Sequence, residues 1–145
     1  MIKGWNSPRV LVAIGFLMLL LTSLQGWGMV VIIDRTVQDR SELVPELKRL
    51  HNLGLAGGFL AISFGLALLV LPVQESHSKR ICKVLLPSLL VAPVGFCDRT
   101  LVILTGPIPS GLQAVFYALQ AVSALGITVS LALIVVQLFR SCLEK

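Results

Sequence analysis

The segment KRLHNLGLAGGFLAISFGLALLVLP, Lys48 to Pro72, decides the reading of this chain. It carries no charge from Leu53 to Val73, about the 20 residues that an α-helix needs to cross ~30 Å of hydrocarbon. Along it His51, Gly54, Gly58, Ala61 and Gly65 recur at steps of three and four, which places them on one helical face. Gly54 and Gly58 form a GxxxG, and Ala61 and Gly65 a small-xxx-small pair. In lipid such a stripe lets a second backbone, or a flat ligand, approach closely. The spacing predicts a membrane-spanning helix that buries one face and carries an imidazole at its mouth.

The rest of the composition agrees with a bilayer setting. Of 145 residues, 56% are hydrophobic and 13% charged, against about 25% charged in soluble domains. The length allows one transmembrane domain, residues 1–145, with no separate soluble module. The net charge of +5 sits in short loops beside apolar runs, which reads as a topology signal rather than a nucleic-acid surface. Cys82, Cys97 and Cys142 make no CxxC and no zinc spacing; they read as small hydrophobes.

Upstream, Val10 to Ile33 is too long for the apolar region of a signal peptide and ends in no small-residue cleavage site. It reads as a first span with Trp5 and Trp27 near its ends. Gln25, its one strongly polar interior residue, reads as a hydrogen-bonding group against a neighbouring helix. Asp34 to Leu50 is the longest polar segment. Ser41 is the expected N-cap, and Pro45 falls in the first turn. Leu43, Val44, Leu47 and Leu50 share a face opposed by Glu42, Glu46, Lys48 and Arg49, so a short interfacial amphipathic helix is expected before the second span.

Downstream, Gln74 to Lys83 reads as a basic loop in which His77 is solvated. A third apolar segment runs from Val84 to about Thr105 through Pro87, Pro93, Asp98 and Arg99. Either its helix continues through the two charges, or it ends near Cys97 and the remainder re-enters or lies near the surface. Gly106 to Gly111 is a turn, and Leu112 to Phe139 a fourth span. The expected fold is an all-α integral membrane four-helix bundle with spans at about 10–33, 53–73, 84–105 and 112–139.

Lys3, Arg9, Lys79, Arg80, Lys83, Arg140 and Lys145 fall on one side of that topology. On the other, Arg35, Arg40, Lys48 and Arg49 are offset by Asp34, Asp39, Glu42 and Glu46. The positive-inside rule then places both termini in the cytoplasm. Gln25, His51, Asp98, Arg99, Gln113 and Tyr117 all come to the opposite half, while the half nearer the termini is almost wholly aliphatic. Charges at membrane depth cost at least about 2.5 kcal/mol each, so they face a bundle interior or a wet cavity. One shared polar cavity is expected, with Asp98 as its acid–base candidate and His51 as its candidate metal ligand.

The layout resembles a family of small four-helix membrane enzymes, the styrene oxide isomerases and the related hydroxylaminobenzene mutases. The likeness lies in chain length, in four spans with a long first loop, and in the opening of the second span, Arg49-Leu50-His51-Asn52-Leu53-Gly54-Leu55-Ala56-Gly57-Gly58. In that family the helix begins Ala-His and continues through small residues to Asn-Gly. Here Gly57 replaces the asparagine and Gly58 matches the glycine. Gly95-Phe96-Cys97-Asp98 stands where the family has Gly-Trp-Ala-Asn, and Val102 where it has a tyrosine. The resemblance implies a b-type haem held by His51 against Gly54 and Gly58 at a subunit interface, with epoxide isomerisation as its chemistry.

Three functions follow. The leading one is an accessory or assembly subunit of a membrane complex, docking on itself or on other subunits through the face of Gly54, Gly58, Ala61 and Gly65. The second is a haem b isomerase built on His51 and Asp98. The third is a small transporter or channel protomer, disfavoured because a polar layer in one half gives no path through.

Overall fold

Backbone N–H and C=O groups cut off from water must be satisfied within the segment, so apolar runs of this length cross lipid as helices. The structure, a computed structural model, describes residues 7–36, 42–71 and 73–143. They are helical almost throughout, as α1 (Pro8–Thr36), α2 (Leu43–Val70), α3 (Glu75–Gly95), α4 (Asp98–Thr105) and α5 (Ser110–Leu143). α3 and α4 together form the third of four rods long and apolar enough to cross a membrane. The chain is an all-α four-helix bundle and a small polytopic membrane protein. Trp5, Ser41, Lys3 and Lys145 lie outside the described residues.

The closest packing is the antiparallel seam between α1 and α2. A Cβ added at Gly15 would come within 2.7 Å of Ile62 and 2.8 Å of the Gly58 carbonyl oxygen. One added at Gly58 would come within 2.7 Å of Leu19 and 3.0 Å of the Gly15 carbonyl oxygen. The register continues both ways, with Gly65 against Val12 and the Pro8 carbonyl, Gly57 against Met18, Gly54 against Thr22, and His51 against Gly26. Ala61 is fully buried in the same stripe. The small-residue face of α2 is therefore filled from within the chain, by α1.

A second antiparallel pair joins α3 to α5. Gly126 receives the Ser88 side chain, and the backbone of Gln120 approaches Gly95. α3 also packs on α2 and touches α1, whereas α5 packs chiefly on α3. At the end of the bundle that holds the start of α1 and the end of α5, Leu11, Ala61, Leu68, Ile81, Cys82, Leu85, Leu86, Leu89 and Ile134 close an aliphatic core.

Two elements differ from the expectations, and a third is decided between alternatives. The amphipathic segment is not a separate helix; it forms the first turns of α2, because no breaker stands between Leu47 and Leu53 and Pro45 lies early enough to be tolerated. The basic segment expected as a loop is the start of α3. Glu75 pairs with Lys79 at 2.5 Å, one turn apart, while Ser78, Ile81 and Cys82 are buried; His77 is thus helical and half-buried. Of the two alternatives for the third segment, the helix ends near Cys97: α3 stops at Gly95, and α4 starts at Asp98.

That break has local causes. Pro93 has no N–H for the helical bond to the preceding turn. Cys97 donates backbone N–H to the Val94 carbonyl at 3.2 Å, the tighter pattern that closes helices. The carbonyls left over are taken by side chains: Gln120 Nε2 donates to the Gly95 oxygen at 2.7 Å, and the Cys97 thiol donates to the Pro93 oxygen at 3.1 Å. α4 ends at Gly106, whose φ of 85° lies in the left-handed region that glycine occupies freely.

Gly58→Leu is expected to wedge α1 from α2 and cost about 1–3 kcal/mol, the usual range for overpacking. Gly28→Ala, with nothing within 4 Å of the added carbon, is expected to be neutral or slightly stabilising. Thermal unfolding of the two variants in detergent measures the contrast.

Candidate functional site

The first turns of α2, the whole of α4 and the start of α5 meet at the end of the bundle away from the aliphatic core. Between them lies a cleft of about 590 Å³ walled by Glu42, Pro45, Glu46, Asp98, Arg99, Val102, Ile103, Ile108, Gln113 and Tyr117. Four residues expected in a polar cavity, Asp98, Arg99, Gln113 and Tyr117, are brought together there. α4 supplies Asp98 and Arg99 only because the third rod restarts at that point.

Glu46 is the electrostatic centre of this wall. Its side chain is 13% exposed; one carboxylate oxygen accepts from Arg49 Nη1 at 3.1 Å, and the other stands 3.6 Å from Arg99 Nη1. The Arg49 guanidinium also lies 4.9 Å from the centre of the Phe96 ring, a cation–π distance. The Arg99 side chain is 72% exposed. Across the cleft Gln113 Nε2 donates to the Tyr117 hydroxyl at 3.1 Å.

Asp98 is different. The residue is 9% exposed, and its Oδ1 is buried without a hydrogen-bond partner among the described residues. Buried polar atoms are nearly always satisfied, and a carboxylate oxygen left bare is costly. The thiol of the adjacent Cys97 is turned back to the Pro93 carbonyl and gives it nothing.

Gln25 and His51 do not join this group. Gln25 borders a separate cleft of about 330 Å³, mainly apolar, shared with Met18, Thr22, Leu50, Gly54, Leu90, Pro93 and Cys97. The His51 ring is laid against Gly26, where an added Cβ would come within 2.8 Å of Cε1 and 3.3 Å of Nδ1, and Nδ1 is buried without a partner among the described residues. The single expected cavity is therefore two clefts and an interhelical imidazole. Helical periodicity aligned these residues by depth but left open which helices adjoin.

Within the chain, the residues that the resemblance would set around a haem are packed against α1. Gly54 and Gly58, which the resemblance would set beneath a macrocycle, face Thr22, Leu19 and the Gly15 carbonyl, and the His51 ring faces α1. Among the described residues no three of His, Cys, Asp and Glu stand close enough to hold a metal ion. Comparison of the chain with protein-family models, with curated proteins and with solved structures finds no match.

Sequence reading missed Glu42, Glu46, Arg49 and Phe96 as site residues. Glu42 and Glu46 were available as an i, i+4 pair with Arg49 one turn on; the expectation of a surface helix assigned them to water. It also missed Gly26, although Gly15, Thr22 and Gly26 form on α1 a stripe complementary to that of α2.

Glu46→Gln is expected to destabilise the protein by about 1 kcal/mol, since both guanidiniums it holds are more than a third exposed and remain solvated without it. Arg99→Ala is expected to change stability by less than about 0.5 kcal/mol. Paired thermal melts in detergent check the order.

Proposed function

We propose that this membrane protein is a non-catalytic accessory subunit that assembles side by side with another subunit in the bilayer. One observation carries the reading, the open edge of the bundle at α5. This helix packs chiefly on α3, and the face away from that contact is lined by Ala114, Ala118, Ala121, Leu125, Thr128 and Ala132, all exposed. They recur at steps of four and three and are small apart from Leu125, the pattern that permits close helix packing in lipid. Docking is thus assigned to α5 rather than to the glycine stripe of α2, which α1 already occupies.

The polar cleft supports the non-catalytic half of the reading. Glu46 is paired with two guanidiniums, and among the described residues no imidazole lines the cleft and no hydroxyl or thiol nucleophile lines it beside a base. These are groups suited to holding a charge rather than to moving a proton through a reaction. By the excess of basic residues, we assign the cytoplasmic side to the end that carries Arg9, Lys79, Arg80, Lys83 and Arg140.

In native nanodiscs the chain is expected in particles with more protein mass than its own 15.6 kDa, and Ala121→Ile with Thr128→Ile is expected to return it to a single copy. A wild-type chain that is alone in such particles overturns the assembly reading. Protein made with ample haem is expected to lack a band at about 400–430 nm, and one that vanishes in His51→Ala would restore the haem enzyme. The exposed Cys142, kept as the only cysteine, is expected to resist an impermeant maleimide until cells are permeabilised, which tests the orientation.

A further inference from the structure

We propose that the cleft between α1, α2 and α3 binds a small uncharged lipophile that carries a carbonyl or hydroxyl oxygen, held by a hydrogen bond from the Gln25 carboxamide. The inference goes beyond the assembly reading and uses a different face of the molecule, since α5 contributes no residue to the described wall of this cleft.

The placement of Gln25 carries it. The residue lies inside the apolar stretch of α1 that is long enough to cross a membrane, where no water is at hand to bond a carboxamide. It is half-buried and lines the cleft, while its neighbour Gly26 takes the seam position against His51. Two other polar side chains line the same wall, and each gives its proton to its own segment. The Thr22 hydroxyl donates to the Met18 carbonyl at 2.7 Å, and the Cys97 thiol to the Pro93 carbonyl at 3.1 Å. Donation into the cleft therefore falls to Gln25 Nε2.

The rest of the wall sets the class of ligand. No charged side chain lines the cleft among the described residues, so an ion there would stand uncompensated in hydrocarbon. Met18, Leu21, Leu50, Leu90 and the Pro93 ring offer an apolar surface. A volume of about 330 Å³ is at the small end of small-molecule sites, room for one substituted ring. Leu21 and Leu90, 57% and 41% exposed, give the cleft a side open to the bilayer. Apolar contact alone would select nothing, because an acyl chain meets the same hydrocarbon among its neighbours. A hydrogen bond made at low dielectric does select. An accepting oxygen of this kind occurs in a free phenol or ketone and in the glycerol ester of a phospholipid.

Photolabelling of the full chain in phosphatidylcholine nanodiscs with a diazirine derivative of propofol, a small uncharged phenol, tests the proposal, with unlabelled propofol as competitor. The expected result is saturable labelling within residues 18–25 and 90–97. Gln25→Leu is expected to raise the competing concentration at least about threefold. Leu90→Trp, which fills the cleft, is expected to abolish the labelling, and Val135→Trp on α5 to leave it as in wild type. Leu90 is partly exposed, so its variant folds even where Gln25→Leu does not, and it then decides the matter alone. Discs of ether-linked phosphatidylcholine, which has no ester carbonyl, separate the two sources. A large gain in apparent affinity there assigns the site to the lipid ester, and an unchanged value assigns it to a free lipophile. Labelling that rises without saturation, labelling undiminished in Leu90→Trp, or a competing concentration unchanged in a folded Gln25→Leu overturns the proposal. None of these failures touches the assembly reading, which the particle mass in native nanodiscs measures independently.

Discussion

Close approach of two backbones is the constraint on which the rest of this molecule depends. Lipid tails are as apolar as the side chains they replace, so helices in a bilayer gain little by merely hiding hydrocarbon from lipid. What holds α1 to α2 is contact made possible by missing side chains, with the carbonyl of Gly15 at Gly58 and that of Gly58 at Gly15. Such contacts admit weak Cα–H···O bonding and dense packing, and they tolerate no added carbon. The seam also fixes a register. Once Gly15 faces Gly58, Thr22 must face Gly54 and Gly26 must receive the His51 ring. The imidazole, which in isolation reads as a ligand at the mouth of the helix, extends the interhelical seam to Gly26.

The second half of the bundle solves a different problem, that of interrupting a helix in lipid. Pro93 and the tight turn at Cys97 leave carbonyl oxygens with no helical donor, and at this depth water is not a ready substitute. The Gln120 amide, held on α5 by the same approach that brings its backbone to Gly95, donates to one of them. The break is thereby stabilised from the neighbouring helix, and α4 begins two residues later with Asp98 and Arg99 on a new wall. A continuous helix would carry these residues at other angles about its axis.

The existence of four spans was legible in the sequence because hydropathy over twenty residues responds to the bilayer and little else. The stripe from His51 to Gly65 was legible as a face for close packing, but a stripe states only that something comes near. Its partner could be read by noticing Gly15, Thr22 and Gly26, whose spacing on α1 answers it. The start of α3 at Glu75 was hidden by the polarity of Glu75 to Lys83, although Glu75 and Lys79 stand at helical spacing. The clustering of Asp98, Arg99, Gln113 and Tyr117 followed from depth alone. The separation of Gln25 and His51 from them did not, because depth says nothing about which neighbours a helix has. Glu46 escaped for a related reason: its partners are Arg49 on its own helix and Arg99 some fifty residues away, and only the first is a sequence neighbour.

The two ends of the bundle differ in a way that bears on what the molecule can do. One end is closed by Leu11, Leu68, Leu85, Leu89 and Ile134, and the groove between α3 and α5, along Val84, Pro87, Val91 and Val122, is lined almost wholly by apolar groups. The other end gathers three carboxylates and the Arg99 guanidinium in one wall, with Arg49 paired to Glu46. A path for a charged solute needs compensating groups along its whole length, since each uncompensated charge in hydrocarbon costs several kcal/mol. Here those groups stop where α4 begins. An arrangement of this kind holds a charge at one level of the membrane and does not pass it on. That distribution supports the assembly reading over a transporter one.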